Sequence, residues 1–358
     1  MTMEAAAAST GSPVQADQLR VGDYVRVRTR EEILATLDPE GRVDGLPFMP
    51  EMLAFAGQTI PVDAVVHRTC DTVKSSGSSG TTRRMERAVH LRGVRCDGSA
   101  HGGCQAGCLI YWKQDWLEAA SDHPPASVPP GTPGRVQDVP PSLAAATRGP
   151  GHTDEDPVYS CQATELLGAT SFVSSRRPGP WIKDVRSGNA KAGTALASIA
   201  VQAFNRWQAF SVRLPSALRI RGGRPWESFV PTGERRRYPP LDLQPGELVE
   251  VRSQAEIEAT LDDKGTLRGL RFGEVMLPYC GKQARVLARV DRIIDEKTGR
   301  MLKLRDCIVL DEVWCQGTFR ALCRRKIYPY WREAWLRRVE PPQDTLPDEP
   351  SSQVAGRR

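Results

Sequence analysis

The stretch Leu19-Arg20-Val21-Gly22-Asp23-Tyr24-Val25-Arg26-Val27-Arg28 is written a second time, as Leu243-Gln244-Pro245-Gly246-Glu247-Leu248-Val249-Glu250-Val251-Arg252. The correspondence runs without a gap, at an offset of 224 residues, to Cys70-Asp71 and Ile294-Asp295. After a longer loop in the first copy it resumes, and residues 96–116 match residues 315–335. Self-similarity on this scale means a duplicated domain. The second copy then serves as an internal control. Residues common to both copies are expected to be scaffold, and residues confined to one are candidates for chemistry. By that criterion Cys70, His90, His101 and Cys108 stand out, beside the shared Cys96 and Cys104.

Each copy reads the same way outward from this stretch. A Gly-Asp or Gly-Glu turn leads into a short alternating strand, with Val25 and Val27, or Val249 and Val251, facing the core. A capping box follows at Thr29 and Glu32, and again at Ser253 and Glu256. Further β-rich stretches are expected at residues 60–66 and 88–96, matched by 284–290 and 307–315. Each copy closes on two tryptophans four apart, Trp112 and Trp116 or Trp331 and Trp335, which share a core face if that segment is helical. Short strands with turn signals predict a mainly β protein with short helices, in the α+β class. The architecture expected is two tandem small barrels joined by a linker and a helical middle segment. The opening pattern Leu-x-x-Gly-Asp/Glu-x-Val-x-Val resembles the first strands of SH3-like barrels.

The organisation expected along the chain is a disordered leader at 1–18, repeat 1 at 19–120 and a Pro/Gly-rich linker at 121–157. A middle segment at 158–240, repeat 2 at 241–340 and a loose tail at 341–358 follow. In the middle segment one helix is expected around residues 190–210. Leu196, Ile199, Ala203, Trp207 and Phe210 form a stripe at helical spacing, which is expected to pack on one or both barrels. No apolar run is long enough to span a bilayer. The first residues lack a basic start followed by an apolar stretch, so no signal peptide is read and a cytoplasmic location is expected, with no membrane partner. Nine cysteines, an odd number without an export signal, argue for reduced thiols rather than a disulfide framework. The net charge of +6 permits an acidic partner without demanding one.

The chemistry-bearing stretch is His90 to Cys108, with three thiols and two imidazoles in nineteen residues and four glycines between Cys96 and Cys108. Ligands converging on a metal require sharp turns, and glycine permits the positive φ angles they need. Backbone amides in such a loop can also stabilise thiolate charge. Cys96, Cys104 and Cys108 are the leading metal ligands, with Cys161, His101 and Cys70 as rivals for a fourth position. Their spacing is not that of paired zinc knuckles, so an iron–sulfur cluster or zinc remains open. Copy 2 keeps Cys315 and Cys323 but carries Arg320 at the position of His101 and Ile327 at that of Cys108.

The run Cys96-Asp97-Gly98-Ser99-Ala100-His101 resembles the signature of CDGSH-type iron–sulfur proteins, with Ala100 as an extra residue and no upstream Cys-x-Cys pair. That resemblance implies a two-iron cluster held by three Cys and one His. Residues 90–108 together with Tyr159-Ser160-Cys161-Gln162-Ala163-Thr164-Glu165-Leu166 resemble a group of uncharacterised bacterial proteins. The expected function is a metal- or iron–sulfur-binding protein with a redox or accessory role in a biosynthetic pathway. Two alternatives are a zinc-stabilised scaffold and a nucleic-acid-binding tandem module. The latter would use Arg219, Arg221, Arg224 and Arg235-Arg236-Arg237, but acids interspersed among the basic residues disfavour it. A protein or small-molecule partner fits either metal reading. No phosphate loop, nucleotide fingerprint or serine elbow is present.

Overall fold

The computed structural model describes residue 15 and residues 18–73, 82–120, 138–174, 177–226 and 228–339. Most of the leader, residues 121–137 of the linker and the tail lie outside the described residues. The fold is mixed α+β, mostly small sheets with a few helices.

The main sheet of repeat 1 has five strands: β1 (Tyr24–Val27), β2 (Thr59–Val65), β3 (Ala88–Leu91), β4 (Trp112–Lys113) and β5 (Leu117–Ala119). They form one antiparallel sheet in the order β4-β3-β2-β1-β5. Repeat 2 builds β6 (Leu248–Val251), β7 (Gln283–Arg289), β8 (Cys307–Leu310), β9 (Trp331–Arg332) and β10 (Leu336–Arg338), in the equivalent order β9-β8-β7-β6-β10. The registers match as well. Val25 pairs with Ile60 and Ala119, and Val249 pairs with Ala284 and Arg338. Even the irregularity is repeated, between Val62 and Ala64 in β2 and between Val286 and Ala288 in β7. Among the described residues these sheets are open and no closed barrel is formed, whereas the turn pattern predicts small, bent or partly closed barrels.

Local chemistry explains the elements. Both capping boxes form, at the starts of α1 (Arg30–Leu34) and, in repeat 2, of the equivalent helix Gln254–Glu258. Val25, Val27, Val249 and Val251 are buried while their neighbours are half-exposed, as strand alternation requires. The two closing tryptophans of each repeat are fully buried, but not on a helix. Each pair spans a two-residue strand and a 3₁₀ turn, which turns both indoles into the core. Phe48 meets Trp116 edge-on at 5.1 Å between centroids, and Phe272 meets Trp335 at 5.4 Å. Such contacts add about 0.5–1.5 kcal/mol beyond the area they bury.

The segment between the repeats packs on both. From Asp138 onward the expected linker is folded, with α2 (Pro141–Ala145) placing Leu143 in the repeat 1 core. Further on, α3 (Gly179–Arg186) carries the buried Asp184, which pairs with the equally buried Arg68 of repeat 1. The Arg68 guanidinium also stacks 3.9 Å from the Trp181 ring centroid. Burial pulls the Arg68 pKa down, and Asp184 opposes that shift. Next, α4 (Ala192–Ser211) reaches repeat 2, where Ser198 Oγ donates to the Thr318 carbonyl at 2.7 Å. Its orientation is the reverse of the expected one. The buried residues are Ala195, Ser198, Gln208 and Ser211, and the apolar stripe faces outward. Hydrogen bonding decides this, because Gln208 Nε2 donates to the Ile220 carbonyl at 2.9 Å and Ser211 Oγ to Gln208 Oε1 at 2.8 Å. No helix among the described residues is long and apolar enough to cross a membrane.

Removing one member of a buried ion pair strands the other charge in low dielectric. Asp184→Ala is therefore expected to cost about 3–5 kcal/mol in denaturant unfolding. A loss within the range of an exposed pair, below about 1 kcal/mol, would mean that Arg68 reaches water or another anion.

Candidate metal centre

The loop from Cys96 to Cys108 is closed by its own backbone. The Cys96 amide donates to the Cys108 carbonyl at 2.9 Å, and the His101 and Gly103 amides both donate to the Gly98 carbonyl, at 2.9 and 3.0 Å. Gly98 sits at φ +71, and a Cβ there would lie 2.0 Å from the Cys104 carbonyl oxygen, so glycine is required. Repeat 2 has the same loop: Cys315 donates to Ile327, and Arg320 and Leu322 donate to Gly317.

At the base of the first loop three side chains meet. His101 Nδ1 and Cys96 Sγ each lie 3.0 Å from Glu51 Oε1, and His101 Nε2 lies 3.1 Å from the Ser160 carbonyl. The ligand atoms of Glu51, Cys96 and His101 lie within 4.8 Å of one another, and this group could hold a metal ion. Glu51 and His101 are buried, and Cys96 is half-buried. Glu51 Oε2 is buried with no hydrogen-bond partner among the described residues, which leaves a carboxylate oxygen available to a cation. Desolvation by burial, then the Glu51 charge, pushes the Cys96 thiol far up.

Above this group lies a cavity of about 360 Å³ between the two repeats. Cys96, His101, Cys104, Cys108 and Cys161 all line it, facing Ile294, Glu296, Arg325 and Tyr330 of repeat 2. Among the described residues the Glu51 group is the one set of three ligand atoms within 4.8 Å, so Cys104, Cys108 and Cys161 share the cavity but stand outside that set. Three of the four thiol sulfurs accept backbone amides. Cys104 Sγ accepts from the Ile294 amide at 3.4 Å, Cys96 from Gly98, and Cys161 from Ala163 and Thr164. Burial pushes Cys108 up to about 12 and Cys161 to about 11, the amides at Cys161 opposing the shift. Both are neutral thiols unless a cation compensates.

Cys161 is held in place by its neighbours. Gln162 Nε2 donates to the Tyr111 carbonyl at 2.9 Å, while its Oε1 accepts the Tyr111 amide at 2.8 Å. This clamps the Tyr159–Leu166 stretch onto the strand that leaves the loop. Opposite, Arg325 is buried and donates to Glu296 Oε1 at 2.8 Å and Thr72 Oγ1 at 2.9 Å.

Two residues singled out by repeat comparison lie elsewhere. Cys70 is not among the cavity-lining residues. Its amide donates to Cys323 Sγ of repeat 2 at 3.1 Å, and the thiol–thiol hydrogen bond together with burial pushes the Cys70 thiol well up. His90 is fully buried, bonds the Ile110 carbonyl through Nδ1 at 2.8 Å and is lowered by burial to about 4, so it is a neutral core imidazole. Sequence reasoning missed Glu51. The signal was present, since repeat 2 carries Val275 at that position.

No protein-family model, curated protein or solved structure matches the chain.

Gly98→Ala introduces both a left-handed alanine and a collision with rigid backbone. It is expected to cost about 2–4 kcal/mol in chemical unfolding. Wild-type stability in this variant would show that the loop reaches its shape by some other route.

Proposed function

We propose that this protein binds a polynuclear iron–sulfur cluster in the cavity between the repeats, through Cys96, Cys104, Cys108 and Cys161, and serves a redox or accessory role. The observation that carries the reading is the convergence of four thiols from two separate chain segments on one cavity. The four-thiol set does not suit a single tetrahedral ion. A tetrahedral zinc with bonds of about 2.3 Å needs its sulfurs within about 4 Å of one another, and no three of these thiols form a group within 4.8 Å. Amide hydrogen bonds to the sulfurs are a known means of tuning cluster potential. Counterparts of the Gly98 and Ile294 amides face Cys315 and Cys323, so those two contacts are common to both repeats rather than special to the site. The residues specific to the site are Cys108, Cys161, His101 and Glu51. When bound, such a cluster supplies one-electron transfer. Arg325 lines the site opposite the thiols, and Gln162 positions Cys161.

A second reading has its own observation. The orphaned Glu51 oxygen, with Cys96 Sγ and a His101 nitrogen, makes a three-ligand set with a position open to the cavity, as mononuclear zinc sites use. Against it, both His101 nitrogens already face protein acceptors. The tandem SH3-like reading of the scaffold is supported by the strand order, in which the first strand lies between the second and the last, and by the 3₁₀ turn that precedes the last strand.

Anaerobic purification followed by iron, sulfide and zinc analysis and an absorption spectrum separates these readings. Iron and sulfide in equal amounts, with visible charge-transfer bands, are expected. The Cys108→Ala and Cys161→Ala variants should each lose them, while Cys280→Ala and Cys307→Ala keep them. Stoichiometric zinc that depends on Glu51 and His101, with no iron, would replace the cluster with the mononuclear site. Full metal content in the Cys108→Ala and Cys161→Ala variants and also in Glu51→Gln and His101→Ala would end both assignments.

A further inference from the structure

We propose that the outer face of α4 and the turns that follow it is a docking surface for an anionic lipid bilayer. The helix is packed with its polar side inward. Ser198, Gln208 and Ser211 are buried and hydrogen-bonded, whereas Leu196 is 66 % exposed, Phe210 56 %, and Ile199 and Trp207 are exposed beside them. Beyond the helix the band continues through Leu218 and Ile220, which are 63 % and 56 % exposed. A helix of 20 residues is about 30 Å long at 1.5 Å per residue. The exposed apolar residues run from Leu196 to Phe210, about 21 Å of that length, a longer strip than scattered surface hydrophobes produce.

Charge identifies the occupant. Residues 185–226 contain seven Lys or Arg and no Asp or Glu, against a net +6 for the entire chain. The rest of the protein is thus nearly neutral, and the positive charge is concentrated on the segment that exposes the apolar band. Arg213, Arg221 and Arg224 are exposed at its C-terminal end, and Lys191 at its start. A second copy of the chain fits poorly, because an isologous pairing would press two such segments together. The face is a convex helix rather than a groove, so it suits a planar, deformable medium. Leu, Ile, Trp and Phe on one side with flanking arginines is the composition of helices that lie in the interface of anionic membranes. Trp207 and Trp226 both pack on Phe204, at centroid distances of 6.3 and 6.2 Å, which ties the post-helix turn into the same surface. This surface stands on observations independent of the cavity thiols.

The test uses the full chain and sedimenting vesicles. Binding is expected to vesicles of phosphatidylcholine containing about one third phosphatidylglycerol, weakening with salt, and at least about tenfold weaker to phosphatidylcholine alone. The double variant Ile199→Glu, Phe210→Glu changes exposed positions only and should lose about tenfold or more in affinity with an unchanged circular dichroism spectrum. A charge variant, Arg213→Ser with Arg221→Ser and Arg224→Ser, should weaken binding to the anionic vesicles and leave the fold intact. Absence of binding to the anionic vesicles would overturn the proposal, as would equal binding by the double variant. A concentration-dependent dimer dissolved by the same double variant, without vesicle binding, would reassign the face to a second copy.

Discussion

Two reciprocal hydrogen bonds from backbone amide to sulfur hold the repeats against each other. The Cys70 amide of repeat 1 donates to Cys323 of repeat 2, and the Ile294 amide of repeat 2 donates to Cys104 of repeat 1. In the alignment Cys70 corresponds to Ile294, and Cys104 to Cys323, so each contact is the image of the other. The interface is therefore isologous in form, as in a symmetric dimer, although a single chain makes both halves. This explains why both copies keep that cysteine. The cavity and the crossing of Arg325 to repeat 1 lie beside this interlock.

The loops show how far tertiary packing dictates the backbone. In repeat 1 glycines occupy the left-handed positions Gly102, Gly103 and Gly107. In repeat 2 the same positions hold Ala321, Leu322 and Lys326, still at positive φ. Each costs on the order of 1 kcal/mol relative to glycine, yet the shape persists. Ala321 and Leu322 recover part of that cost by packing with Trp181, Ala190 and Ala195. The glycines of repeat 1 are thus suited to the loop, and their presence does not by itself indicate a metal. What distinguishes repeat 1 is the set Glu51, His101 and Cys108, replaced by Val275, Arg320 and Ile327.

Much of the scaffold was legible in the sequence because it rests on local rules. The capping boxes and the valine alternation depend on neighbours a few residues away, and the structure contains them where the pattern puts them. The tryptophan pairs were legible as core but not as to conformation, since a spacing of four is met by a strand followed by a 3₁₀ turn as well as by a helix. The face of α4 was misread for a definite reason. Periodicity identifies the apolar side but not whether a neighbour is there to cover it, and here Thr318 and Ile220 offered carbonyls to the polar side. Glu51 escaped because it is remote in sequence from the cysteine loop. Only the 3₁₀ turn Pro50–Phe55 brings it under His101. The open edges of the sheets could not be read at all, because closure depends on long-range twist rather than on strand composition.

The same asymmetry that removes ligands from repeat 2 opens the space in which ligands face each other. Ala106 and Gly107 line the cavity, and their counterparts are Arg325 and Lys326. Those long side chains do not fill an equivalent space. They cross the interface, Arg325 to Thr72 and Lys326 to Asp63 at 2.7 Å. One loop has thus spent its side chains on fastening the repeats, and the other has kept small residues and left a void. Burial opposes ionisation of the cavity thiols, whereas a bound metal centre would compensate thiolate charge. The division of labour between the loops therefore accounts for a cavity at the interlock, and for its thiol lining coming from repeat 1 and the segment that follows it.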